Sequence, residues 1–509
     1  MRKIPATMVT QHPDHASTPY WHAEAFISVK EETEECYRSF AELGAGEYKW
    51  DWEGKLVDEA VVERLFSGYY DYFSRHPLGK EKFLTFRLPN PKVETEFRLG
   101  RAFMGIISAS GLANQVNLPL PPLFEVILPM TQSAKEMIAV QAAFRELTSL
   151  QHPLLKLSEE GIRHIELIPL FEDVDTIVNS DKILETYLNL HEAMFAFKPR
   201  YLRPYVARSD PALNAGIVPT VLAIKIALSH YRQFAERHQI ALYPIIGCAA
   251  LPFRGGLTPS NVPQFAQEYA GIRTTTIQSA FRYDYDKTQV IKGIRQLEEL
   301  LPKGKPPAVL AKEEKMLRVA MREFAQYYKN TIEQIAPIVN EVASHLPRRR
   351  ERVLHVGLFG YSRGVGKVKL PRAIGFTAAL YSLGVPPELI GTGRGLQKVK
   401  SLKSKVKSEK SPIELLEKYY LNLKSDLQRA GRYVNKNVLA KLAKKSAAWQ
   451  EVEQDIKEIE KYLGEELKPK TAEEKEHHNM VGRIYNCLQA DLSAKKFITQ
   501  AAVLRRSLG

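Results

Sequence analysis

Cysteine is scarce in this sequence: Cys36, Cys248 and Cys487 are the only three in 509 residues, far apart and odd in number. That argues against a disulfide framework or a cysteine-rich zinc site and suits a reducing compartment. Long apolar runs are also missing. No stretch reaches the roughly 18 apolar residues that a membrane helix needs. The opening "MRKIPATMVT" lacks the apolar segment of a secretory signal, so the expectation is a cytoplasmic protein with no membrane partner. Neither HxH nor HExxH occurs, which disfavours a histidine-held transition metal. No G-x-G-x-x-G follows the first strand-like run, which lowers the classical dinucleotide-binding option.

Charge of one sign is in excess. The net charge is +14, concentrated in "KVKSLKSKVKSEK" (398–410) and "PRRRER" (347–352). Neither run interleaves aromatic residues for base stacking. They read as solvated loops or helix ends, and no nucleic-acid partner is expected. His477 and His478, adjacent on a predicted helix, are expected to be exposed.

What is present is a rhythm. Eight strand-like runs recur through the first 300 residues: 3–10, 46–52, 83–90, 124–130, 164–171, 200–207, 242–251 and 274–283. Several are continuously apolar, as expected of strands covered on both faces. Helical spacing fills the gaps at 23–44, 58–73, 133–150, 176–195 and 218–238. This predicts an α/β protein with a (β/α)8 barrel over 1–301; a doubly wound open sheet is the alternative. After "PKGKPP" (302–307) the chain becomes mostly helical to 509, interrupted by a glycine-rich basic stretch at 353–375.

A barrel builds its site at the C-terminal ends of its strands. Polar residues stand there after every predicted strand: Gln11 and His12, Asp51 and Trp52, Arg87 and Asn90, Thr131 and Gln132, Glu172 and Asp173, Arg208 and Asp210, Arg254, Gln278 and Arg282. His12 is the candidate for proton transfer, while Asp14 could simply cap a helix. Glu172 and Asp210, on neighbouring strands, suit a hard cation such as Mg²⁺ or Mn²⁺; alternatively one caps a helix or pairs with Arg208. Arg254 precedes Gly255 and Gly256, which would let backbone approach a ligand closely. "GYSRGVGK" (360–367) fails the Walker A pattern, because five residues separate Gly360 from Gly366 and Val368 replaces Ser or Thr. It reads as a basic anion-binding loop rather than a nucleotide site.

Together "TQHPDHA", "LIPLFED", "ARSDPALNAG", "FRGGLTP" and "GYSRGVGK" resemble archaeal-type phosphoenolpyruvate carboxylase over essentially the whole chain. The resemblance implies carboxylation of phosphoenolpyruvate by bicarbonate, giving oxaloacetate and phosphate. It implies a catalytic histidine at His12, metal acids at Glu172 and Asp210, and a substrate arginine at Arg254. Gly255 and Gly256 would help to hold phosphate. Arg87, Arg208, Arg363 and Arg372 are further substrate-binding candidates. Where the large bacterial and plant enzymes have histidine before the arginine motif, this chain has Pro252. A homotetramer is also implied. A metal-dependent lyase or aldolase of the citrate-lyase kind is the rival reading.

Overall fold

A computed structural model describes residues 3–53, 55, 57–92, 94, 97–118, 120–150, 161–351, 364–365, 368–401 and 411–509. Eight parallel strands close into a barrel. They are β1 (Thr7–Thr10), β2 (Glu47–Asp51), β3 (Phe83–Arg87), β4 (Glu125–Leu128), β5 (Glu166–Phe171), β6 (Tyr205–Ala207), β7 (Ile245–Gly247) and β8 (Thr274–Ile277). Each strand pairs with its neighbours in sequence, and β8 closes on β1. The (β/α)8 reading therefore holds, and the open sheet does not.

The continuous burial of the strands follows from this closure. Alternate residues fill the lumen, where Met8, Ile127, Ile168, Leu170, Tyr205, Ala207 and Ile245 form a small inner core. The intervening ones, such as Val9, Leu167 and Phe171, join a much larger core beneath the helices. Two predicted strands are shorter than expected for one reason, proline. Pro204 and Pro244 cannot donate to a ladder, so Tyr201–Leu202 and Ala241–Leu242 pair with each other outside the barrel. Only β6 and β7, beyond the prolines, enter it.

The helices follow prediction with trimmed ends. The one predicted from residue 23 begins at Glu32. Ile27 upstream instead bridges to Arg350, and Glu31 turns back to accept from the Ser28 backbone N–H (2.7 Å). Ile217–His238 is buried along most of its length, and the long helix Ala311–Ser344 packs on it. The same apolar core runs through both. No strand occurs among the described residues of the last hundred. In the glycine-rich stretch, Gly364–Val365 and Val368–Lys369 pair antiparallel. The rest of "GYSRGVGK", including Arg363, lies outside the described residues, as do residues 402–410 of the lysine–serine run.

The histidine pair departs from expectation. His477 is fully buried, because helix Ala472–Gln489 packs on helix Lys495–Leu504 and places His477 against Tyr433 and Arg505. Burial holds its imidazole well below the ordinary histidine range.

Candidate active site

The C-terminal ends of the strands open into a cavity of about 320 Å³. Gln11 and His12 reach it from β1, Asp51 from β2, Arg87 from β3, Glu172 from β5, Arg208 and Asp210 from β6, Arg254 from the loop after β7 and Gln278 from β8. Arg372 lines it from the start of helix Ala373–Ser382. Most of the predicted mouth residues thus converge. Trp52, Asn90, Thr131, Gln132, Asp173 and Arg282 do not line the cavity. Trp52 packs on Phe86, Asn90 donates to the Pro129 carbonyl (2.9 Å), and Asp173 caps the short helix Val174–Val178. Arg282 pairs with Glu35 at 3.0 Å.

The opening histidine segment is tied down rather than frayed. Asp14 caps helix Ser279–Tyr283, accepting from the Ala280 N–H and the Ser279 hydroxyl, both at 2.9 Å. His15 bonds the Ala25 carbonyl at 2.8 Å, and burial lowers it to about 3, so it stays neutral. His12 Nδ1 lies 2.8 Å from the Thr10 hydroxyl, which fixes the ring. Burial, then the charges of Lys49 and Arg87, hold its pKa well below the usual value. At neutral pH this imidazole is therefore unprotonated and able to accept a proton.

The arginines divide by what they already touch. Arg87 forks onto Asp51, at 2.5 and 2.7 Å, because the register sets those residues side by side. A third contact joins it to Glu53. Arg254 is buried and donates to Ser209 Oγ (3.1 Å), Gln278 Oε1 (2.7 Å) and the Gly509 backbone oxygen, with Asp14 at 3.4 Å. Arg208 reaches the cavity but spends its donors on protein groups. It donates to the carbonyls of Phe253 (3.0 Å) and Pro252 (3.2 Å) and to the Tyr269 hydroxyl (3.2 Å). It braces the loop that carries Arg254.

Gly255 and Gly256 have φ of 120° and 71°, so the turn itself requires glycine. A Cβ at Gly255 would stand 2.6 Å from Cys248 Sγ. Both glycines line a second pocket with Asn261, Asp426 and Arg429, not the His12 cavity.

Sequence reasoning missed Lys49 and Glu53, which also line the cavity. Lys49 points inward from mid-strand, before the strand end where polar residues were sought. Its signal was a lone lysine between two aromatic residues, Tyr48 and Trp50, in "EYKWD". Gly509 was missed because the fold, not local pattern, brings it to Arg254.

Glu172 and Asp210 line the same cavity from adjacent strands. Glu172 Oε2 accepts from the Met130 N–H at 2.7 Å. These are hard oxygen donors, chemically suited to a divalent cation of the Mg²⁺ class. Among the described residues no group of three or more candidate ligands stands together, so substrate oxygens and water would complete such a site.

The comparisons with known proteins agree with this geometry. The family model described as phosphoenolpyruvate carboxylase matches residues 4–509. A phosphoenolpyruvate carboxylase of Leuconostoc mesenteroides is 39% identical, covering 100% of this chain and 99% of the relative. Those of Metallosphaera sedula (38%, covering 100% of both) and Picrophilus torridus (35%, covering 99% of both) match equally fully. The full-length match displaces the citrate-lyase alternative. The chain belongs to the phosphoenolpyruvate carboxylase family, in its archaeal-type form.

Proposed function

We propose that the cavity carboxylates phosphoenolpyruvate with bicarbonate to give oxaloacetate and phosphate, with the residue roles that follow. The observation that carries this is the charge balance of the cavity. Lys49, Arg87, Arg208, Arg254 and Arg372 line it against Asp51, Glu53, Glu172 and Asp210. A divalent cation on Glu172 and Asp210 would leave the cavity clearly positive, matched to a small, highly charged anion. That cation is Mg²⁺ or Mn²⁺. When bound, it supplies Lewis-acid stabilisation of the developing enolate oxygen.

Arg254, set by Ser209, Gln278 and Gly509, orients the phosphoryl group. Bicarbonate oxygen attacks phosphorus, the phosphorus–enol oxygen bond breaks, and carboxyphosphate and pyruvate enolate form. Neutral His12 then takes the carboxyphosphate proton. The C–O bond breaks, phosphate leaves, and CO₂ is released beside the enolate carbon, which attacks it. Arg208 acts at one remove by bracing the Arg254 loop. The burial of Arg254 and the enclosed floor keep water from protonating the enolate. Arg372, which lines the cavity from the start of its helix, adds to the phosphate clamp, a role the family resemblance also gives to Arg363, while Gly255 and Gly256 shape the loop that carries Arg254. We assign the barrel to residues 1–301 and the helical region to 302–509. We also assign a cytoplasmic location and a homotetramer with contacts through the helical region. Among the described residues no helix is long and apolar enough to cross a membrane.

The test is oxaloacetate formation from phosphoenolpyruvate, bicarbonate and Mg²⁺, followed through malate dehydrogenase and NADH. Bicarbonate-dependent NADH loss is expected. In His12→Asn, oxaloacetate formation should fall about 10²–10⁴-fold, with phosphate release falling less. Equal loss of both products would place His12 before the phosphoryl transfer and refute its assignment.

A further inference from the structure

The cations of the cavity differ in how far protein atoms already occupy them. Arg87 is held by Asp51 and Glu53, Arg208 by two carbonyls and a hydroxyl, and Arg254 by four partners. Lys49 is different. It is buried, with 1% of its surface exposed, and it lines the cavity. Among the described residues, no hydrogen bond or ion pair reaches its ammonium. The charges of Asp51, Glu53 and Glu172 offset part of its burial, but a buried ammonium whose donors meet no acceptor remains costly. That cost is relieved when an anionic oxygen enters the cavity.

Topology decides which oxygen. β1 lies opposite β5 in the closed ring, and β2 lies opposite β6. Glu172 and Asp210, the metal acids, therefore stand across the barrel from His12 and Lys49. The register pairs Lys49 with Thr10, the residue whose hydroxyl fixes His12. An oxygen that meets Lys49 thus lies beside the group that takes the carboxyphosphate proton, in a cavity where the charges of Asp51, Glu53 and Glu172 also reach Lys49. The Arg254 loop does not compete for this role, because Pro252 and Phe253 carry no polar side chain.

We propose that Lys49 is a further catalytic residue of this enzyme: its ammonium binds the carboxyl oxygens of bicarbonate, and then of carboxyphosphate, next to His12. The inference rests on the roles given above to His12, Glu172 and Asp210. The ammonium donates hydrogen bonds throughout and keeps its proton. It aligns bicarbonate for attack on phosphorus and holds the carboxyl group while His12 removes the proton.

The test is steady-state kinetics of the full-length enzyme in CO₂-depleted buffer, varying bicarbonate and phosphoenolpyruvate separately. Lys49→Met should raise KM for bicarbonate about 10- to 100-fold, the loss of one charge-assisted contact. Its KM for phosphoenolpyruvate should change less than about threefold. A thermal melt establishes that the variant is folded; if it is not, Lys49→Gln, which keeps length and polarity without charge, is read in the same assay. A parallel rise in both KM values would assign Lys49 to phosphoenolpyruvate instead, and unchanged KM values in a folded variant would make it structural; either overturns the proposal. His12→Asn separates this from its premise. Normal turnover in that variant removes the proton acceptor, while the bicarbonate KM of Lys49→Met still reports on Lys49.

Discussion

Strand β2 sends charged side chains to both ends of the barrel, and the two ends use them differently. At the N-terminal end, Glu47 meets Arg203 at 2.7 Å, and Glu125 from β4 meets the same guanidinium at 2.6 Å. Thr274 Oγ1 adds a third acceptor at 3.2 Å. Arg203 is only 1% exposed and does not line the His12 cavity. At the C-terminal end of the same strand, Asp51 pairs with Arg87, but Lys49 between the two ends has no such partner among the described residues. The residue types are alike. What separates a structural cluster from a working one is charge left over to face a cavity, and both arrangements sit where barrels place stability and catalysis.

The strongest way to break that contrast is at the open end. Asp210→Asn removes one of the two carboxylates proposed to hold the metal while keeping shape. Turnover should fall about 10³-fold, the scale of losing one transition-state stabiliser, with the melting temperature little changed. Near-normal activity would mean that the open end does not depend on this acid. The matching change at the closed end is Arg203→Met, which leaves Glu47 and Glu125 buried without their cation. It should cost about 3–5 kcal/mol of stability, seen as a lower denaturation midpoint, while kcat per folded molecule stays within about twofold. A kcat loss without a stability loss would erase the distinction between the two ends.

How much of this was legible in the sequence depends on how local the cause is. The eight strands and most mouth residues were readable because burial on both faces leaves continuous apolar runs, and because catalytic groups follow those runs directly. The break in the sixth and seventh runs was also written there, in Pro204 and Pro244, but only pairing shows where the detached halves go. Arg208 lines the cavity where the strand end put it, whereas Gly255 and Gly256 face a second pocket, and the contacts of all three were not foreseeable. Arg208 looks like a substrate arginine until the Pro252 and Phe253 carbonyls are seen occupying it. Lys49 and Gly509 escaped for complementary reasons. One lies inside a strand, where a lysine among aromatics gives no hint of which face it takes; the other reaches Arg254 across 255 positions of chain.

The smallest expected effect sharpens the contrast most finely, because it reads the leftover charge directly. Burial and the nearby charge of Arg87 push Lys49 down to about 8, so its ammonium is lost as pH rises through that value. kcat/KM for bicarbonate should then show an alkaline limb near pH 8, falling about tenfold per pH unit beyond it. His12 sits below its ordinary range, so it remains an unprotonated base down through pH 6.5, and no acid limb from it should appear above that point. Lys49→Arg replaces a group that titrates with one that does not, and the alkaline limb should disappear from its bicarbonate profile. Persistence of the limb in that variant would assign it to another group, and Lys49 would then be a fixed charge rather than a titrating one.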